Sequence, residues 1–184
     1  TLAASLAFAK SLSNQASQNF FSYIAESNEF ILPVPMMNII NGGAHADNDV
    51  DIQEFMIAPA GAPNFSEALR YGVEVFHSLK SILKSKNLNT NVGDEGGFAP
   101  NIKSSSEVID IILSAIDKTG LKINSDIILS LDVASTEFYK NKKYELRGEG
   151  KSLSSDEMVN YLENLSINYP IYSIEDGMSE DDWE

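Results

Sequence analysis

Glu95, Asp132 and Glu175 are the acids whose neighbours point to chemistry. Glu95, with Asp94 before it, lies in Asn-Val-Gly-Asp-Glu-Gly-Gly-Phe-Ala-Pro, Asn91–Pro100. Neither a helix nor an ordinary turn needs that composition. Glycine lets the backbone reach φ > 0 and approach a ligand closely, so such a loop can aim an acid into a cleft. Asp132 ends the apolar run Ile127–Leu131, and Glu175 ends Ile171–Ile174. Glu95 to Asp132 is 37 residues and Asp132 to Glu175 is 43, about one strand-plus-helix unit each. In a parallel α/β protein, equivalent points of successive units are the carboxyl ends of the strands, where barrel active sites are built.

Asp132 and Glu175 at adjacent strand ends would form a hard oxygen site suited to Mg²⁺, which takes a few carboxylates and keeps positions for water and substrate oxygen. A third ligand is normally needed, and is expected beyond Glu184. Either acid alone reads more simply as a helix N-cap or a surface carboxylate; two at matched positions, each closing a buried strand, favour metal. Glu54 and Glu95 make a second pair. Acid catalysis near neutral pH needs a carboxyl group that holds its proton, and burial beside another carboxylate raises one pKa. Spacing alone does not bring Glu54 and Glu95 together.

His45, in a glycine-rich loop with little apolar packing to satisfy, favours a ligand-facing role, whereas His77 beside Phe76 on a long helix is assigned to structure. Gln53 could bond a substrate oxygen, but strand alternation sends Gln53 and Glu54 to opposite faces unless a bulge or the strand end lets both reach the cleft.

The elements that must carry these residues follow from pattern. Thr1–Ser13 and Phe20–Ile24 read as short helices ending an upstream domain. Leu32-Pro33-Val34-Pro35 breaks any helix and marks the boundary, giving 1–32 and 33–184. Met36–Ile40 and Ile52–Ala58 read as strands, joined by a long polar loop, Asn41–Asp51, with the character of a mobile lid. Capping-box patterns at Asn64–Glu67, Ser104–Glu107 and Ser154–Glu157 open three helices. The first has the stripe Leu69, Val73, Phe76, Leu79 and Leu83; the second carries Val108, Ile112 and Ile116 and stops at Gly120; the third carries Met158, Tyr161, Leu162 and Leu165. Strands alternating with such helices argue for βαβ units and a parallel sheet. The units are too few to close an eight-stranded barrel, so the last strand should be an unpaired edge exposing Ile171, Tyr172 and Ile174, and the chain alone should aggregate or fold loosely.

Composition bounds the partners. The chain has 184 residues, no cysteine and a net charge of −14. That balance argues against a nucleic-acid surface, which needs clustered Lys or Arg. Neither a disulfide framework nor a thiolate metal site can form. No apolar run approaches the ~20 residues that span a bilayer. The chain starts without Met and stops at Trp183-Glu184, which reads as a piece of a longer protein. Lys140, Lys142 and Lys143 fall within Phe138–Tyr144, read as a solvated hairpin tip.

Six blocks in order resemble the enolase family: Pro35-Met36-Met37-Asn38, Asn41-Gly42-Gly43-Ala44-His45-Ala46, Gln53-Glu54-Phe55-Met56-Ile57-Ala58-Pro59, Asn91–Ile102, Leu131-Asp132-Val133-Ala134-Ser135 and Ser173-Ile174-Glu175-Asp176. Asp47–Asp51 and the Gly-Met-Ser-Glu-Asp-Asp-Trp ending are bacterial in style. The resemblance implies an α/β fold: the last helices of an α+β N-terminal domain, then the first half of a (β/α)8 TIM-type barrel opening with an antiparallel strand pair. It implies reversible dehydration of 2-phosphoglycerate to phosphoenolpyruvate in glycolysis, with Mg²⁺ as cofactor. Glu95 would be the general acid at the departing hydroxyl, supported by Glu54. His45 and Gln53 would contact substrate, and Asp132 and Glu175 would be two of three carboxylates on the tighter Mg²⁺, Glu175 also facing substrate. The third metal carboxylate, a base lysine and the phosphate-binding segment would lie downstream, so the chain alone is expected to be inactive and to hold Mg²⁺ weakly.

The intact protein would be a cytoplasmic homodimer or homo-octamer. A racemase or lactonising enzyme of the same superfamily would share the metal ligands, but is not expected to combine the His45 loop, Gln53-Glu54 and the Gly93–Gly97 loop. The non-enzymatic alternative is a cell-surface or secreted role, capturing plasminogen through Lys140, Lys142 and Lys143.

Overall fold

The computed structural model describes residues 1–183 apart from Glu26, Asn28 and Asp94, and the chain divides into two compact units, Thr1–Pro33 and Val34–Glu184. In the first, α1 (Leu2–Gln15) and α2 (Phe20–Ile24) are separated by a turn that takes Ser17 to φ 54°. Phe21 meets Phe30 edge to face at 4.9 Å.

The second unit runs β1 (Met37–Asn41), β2 (Glu54–Ala58), α3 (Phe65–Ser85), β3 (Val92–Gly93), β4 (Gly96–Phe98), α4 (Ser105–Thr119), β5 (Ile128–Asp132), β6 (Tyr139–Lys140), β7 (Lys143–Leu146), β8 (Lys151–Leu153), α5 (Ser155–Asn168) and β9 (Ile171–Glu175). One six-stranded sheet has the order β3-β4-β1-β2-β5-β9. β2 is antiparallel to both β1 and β5, whereas β1 with β4 and β5 with β9 are parallel. This is a mixed α/β architecture, and the sheet does not close: β3 and β9 are its edges. No described helix is long and apolar enough to cross a membrane.

Hydrophobic pattern explains the layers. Ile39, Ile40, Phe55, Ile57, Leu129 and Leu131 are buried in the sheet, and Leu79, Leu83, Ile109, Ile112 and Ile116 pack onto it from the helices. All three expected helix starts are capped by side chains: Asn64, Ser104 and Ser154 accept from the backbone N–H of Glu67, Glu107 and Glu157. Glu157 also returns a bond to the Ser154 N–H, completing a capping box. Gly120 ends α4 at φ 82°, a left-handed position that glycine adopts without strain.

Three expectations shift. The buried face of α3 is Ala68, Gly72, Val75, Leu79 and Leu83, while Leu69 and Val73 stand half exposed. Gly72 is the cause: a Cβ there would come within 2.1 Å of the Met37 sulfur, so the helix meets β1 through its smallest residue. Of the three residues expected to be exposed at the β9 edge, only Tyr172 is strongly so, at 72%; Ile171 and Ile174 are half buried against the core. Beyond the expected hairpin, β6 and β7 are joined by β8 into a separate three-stranded sheet. It is anchored by buried Tyr144, whose hydroxyl donates to Asp182 at 2.6 Å and accepts from the Ser179 N–H at 3.0 Å.

The Asn41–Asp51 loop is no free lid. Gly42 and Gly43 N–H groups donate to the Gln53 and Val50 carbonyls at 2.8 and 2.7 Å. Asn48 Nδ2 reaches the carbonyls of Asn41 and Pro100, each at 3.0 Å. The Asp51 carboxylate accepts from the Gly148 and Glu149 N–H groups at 3.1 and 3.2 Å, and Val50 and Ile52 are buried. These partners hold the loop down on both flanks.

Candidate functional site

The strand register lines up the chemistry. Asn41 pairs with Glu54 across β1 and β2, Glu54 with Asp132 across β2 and β5, and Asp132 with Glu175 across β5 and β9. Asp132 and Glu175 close parallel strands. Glu54 instead opens β2, and because β2 runs the other way its first residue stands at the same end of the sheet. Gln53 lies in the bend before β2 and escapes strict alternation. The Gln53 side chain lies near enough to Asp132 to lower its carboxyl pKa, and Glu95 near enough to Glu54 to raise the Glu54 carboxyl, so both adjacent residues stand at one sheet end.

Glu95 arrives differently from expectation. It does not end a parallel strand; it sits in the turn of the β3–β4 hairpin, and β4 joins β1 through the pair Ile40 and Phe98. Gly96 and Gly97 at φ 86° and 59° make that reversal, which L side chains rarely allow. Asp94 lies outside the described residues. His45 falls between the two acids: Nδ1 is 3.2 Å from Glu54 Oε1 and Nε2 is 3.9 Å from Glu95 Oε1. Nδ1 forms no directed hydrogen bond, so the Glu54 contact is electrostatic and gains an ion-pair character when the imidazole is protonated. The side chains of His45, Glu54 and Glu95 are 23%, 13% and 58% exposed, which makes Glu54 the sheltered member and Glu95 the one facing the opening.

Burial raises the Glu54 carboxyl above its usual range, and the neighbouring carboxyl groups of Glu95 and Asp132 add to this, against His45. Burial also raises Asp132, and the Asp176 charge adds to it, while the Ala134 N–H, the Gln53 side chain and His45 pull it back. Carboxylates thus crowd one sheet end with too little positive charge among them.

That crowding makes a stability prediction. A carboxyl raised on folding binds more protons in the folded chain than in the unfolded one, so stability falls as pH climbs through the window above its unfolded pKa of about 4.3. In metal-free buffer, Glu54→Gln is expected to melt at a higher temperature than wild type at pH 7, with the gap narrowing toward pH 4. Thermal unfolding at the two pH values reads it; a variant that melts lower at pH 7 would show the charge to be well paired.

Mg²⁺ suits these donors. Asp132 and Glu175 are cross-strand partners, and the loops after them are stitched together by Val133 N–H to the Glu175 carbonyl at 3.0 Å and by the Ser135 hydroxyl to the Asp176 carbonyl at 2.8 Å. Two carboxylate-bearing residues therefore stand side by side at the sheet end, the hard oxygen chemistry that Mg²⁺ takes. His45, Glu54 and Glu95 form a second cation-compatible group, with ligand atoms within 4.8 Å of one another. Lys140, Lys142 and Lys143 stand exposed on the β6–β7 hairpin, whose tip residues Asn141 and Lys142 take φ 52° and 63°. His77 belongs to α3, its ring edge to face with Phe76 at 6.1 Å.

Against models of protein families, residues 29–184 match the enolase C-terminal TIM barrel domain.

Proposed function

The chain belongs to the enolase family, and from that premise we propose that it supplies the first half of a barrel that dehydrates 2-phosphoglycerate to phosphoenolpyruvate. Residues 1–32 would end the preceding domain and 33–184 open the barrel. The observation that supports this reading is the shared sheet end: Glu54, Asp132 and Glu175 stand in one row, with Glu95 and His45 folded over Glu54.

The proton beside the substrate carboxylate is very weakly acidic, and its removal falls to a base outside the described site. Glu95, facing the opening, delivers a proton to the departing hydroxyl. Glu54, sheltered beside it and raised above the usual carboxyl range mainly by burial, supports that acid. His45 lies against both acids, and Gln53, in the bend before β2, would contact substrate. Asp132 and Glu175 would hold Mg²⁺, which when bound supplies Lewis-acid stabilisation of charge developing on the substrate carboxylate.

The whole protein containing this chain is expected to form enol product from 2-phosphoglycerate in Mg²⁺ and to stop in EDTA, while residues 1–184 alone turn over nothing. Product formation followed optically tests both. A whole protein inert toward 2-phosphoglycerate in saturating Mg²⁺ would sink the reading, and turnover by the 184-residue chain would show that the rest of the barrel is dispensable.

A further inference from the structure

We propose that Asn41 is the positioning residue that fixes the Glu95 turn, through its side-chain amide, and the His45 loop, through its backbone carbonyl, relative to Glu54. Asn41 is the last residue of β1, fully buried, and the register partner of Glu54. Its Nδ2 donates to the carbonyl of Gly96, the residue after Glu95. Its Oδ1 accepts from Asn38 Nδ2 at 2.6 Å, so both ends of the amide are engaged and its rotamer is set. Its backbone carbonyl accepts from Asn48 in the loop that carries His45, at 3.0 Å. One side chain and its own backbone therefore reach the carriers of three site residues.

The glycines around Glu95 fit the same account. A Cβ on Gly97 would come within 2.7 Å of Asn41 Nδ2. One on Gly93 would come within 2.8 Å of that nitrogen and 2.9 Å of the His45 carbonyl. Gly93 has no positive φ to explain it; the turn is wrapped onto the Asn41 amide at contact distance, and only hydrogen fits between. Glu95 needs such a tie. Its side chain is 58% exposed, and the strands flanking it have two and three residues, too short to hold a turn by pairing. Asn41 acts through Glu95 rather than on substrate.

The kinetic consequence rests on the dehydratase reading, so the test carries one arm that does not. In the whole protein, Asn41→Asp keeps the shape and the acceptor toward Asn38 but sets an oxygen against the Gly96 carbonyl. A turn shifted by about an ångström is expected to lower kcat by about 100-fold with KM little changed. Amide hydrogen exchange at Gly96 and Gly97 should accelerate while protection of the β5 core stays. Asn38→Ala, which frees the amide's other end without burying a charge, should give the same pattern more weakly, and it decides the matter if Asn41→Asp does not fold. Unchanged exchange in the turn, or kcat and KM lost together with core protection, overturns the proposal. A wild-type protein inert toward 2-phosphoglycerate, with the turn still loosened in the variants, would overturn the reaction and leave the tie standing.

Discussion

In the whole protein, Glu95→Gln is expected to lower 2-phosphoglycerate dehydration by about 10²–10⁴-fold while exchange of the C2 proton with solvent continues. Glutamine preserves the size of the side chain and disturbs neither the glycines of the turn nor the Asn41 bond to Gly96. What it lacks is a proton to give the departing hydroxyl. In the proposed mechanism, removal of the C2 proton is assigned to a different group and would not pass through Glu95. Turnover read from product and exchange read by NMR in deuterated buffer separate the two steps. Loss of both in equal measure would make Glu95 a structural residue, and retention of both would move the acid elsewhere. Glu54→Gln is informative beside it. It removes the sheltered partner, so a proton held by the pair should become harder to supply as pH rises, whereas Glu95→Gln removes the donor at every pH.

The two acids proposed for metal could be singled out because each closes an apolar run in the sequence. Asp132 and Glu175 accordingly turn out to be register partners. Glu54 was harder. The rule that sites gather at carboxyl ends of strands assumes parallel neighbours, and β2 runs antiparallel to both of its own, so its site residue is its first. Strand alternation separates Gln53 from Glu54 except at a bulge or strand end, and Gln53 lies in the bend before β2, outside the pleat. Composition singled out the Glu95 loop, but a hairpin turn and a strand end need the same glycines, and the difference is settled by pairing with β1, more than fifty residues away. The same distance hid the anchoring of the His45 loop, whose partners Pro100, Asn101, Gly148 and Glu149 are remote in sequence. Asn41 was visible only as part of a motif. An asparagine before two glycines reads as a turn former, and nothing local says that its amide is buried with both ends engaged.

Asp132→Asn is expected to have opposite effects with and without metal. Without Mg²⁺, the Asp132 carboxylate is half-buried beside Asp176 and opposite Glu54, a cost that an isosteric amide lowers. The Asn variant should therefore unfold at a higher temperature than wild type in EDTA at pH 7. With Mg²⁺ the sign reverses, since the wild-type acid gains a cation that the amide holds poorly. Affinity for Mg²⁺, measured by titration calorimetry on the whole protein, should fall by more than the ~10–100-fold that follows loss of a group hydrogen-bonded to a ligand. Ligand linkage then makes the wild type the more stable protein in saturating Mg²⁺. Unchanged affinity in Asp132→Asn would remove Asp132 from the metal site. A crossing of the two stability curves as Mg²⁺ is added is what a carboxylate cluster should give if the fold tolerates its repulsion for the sake of the ion.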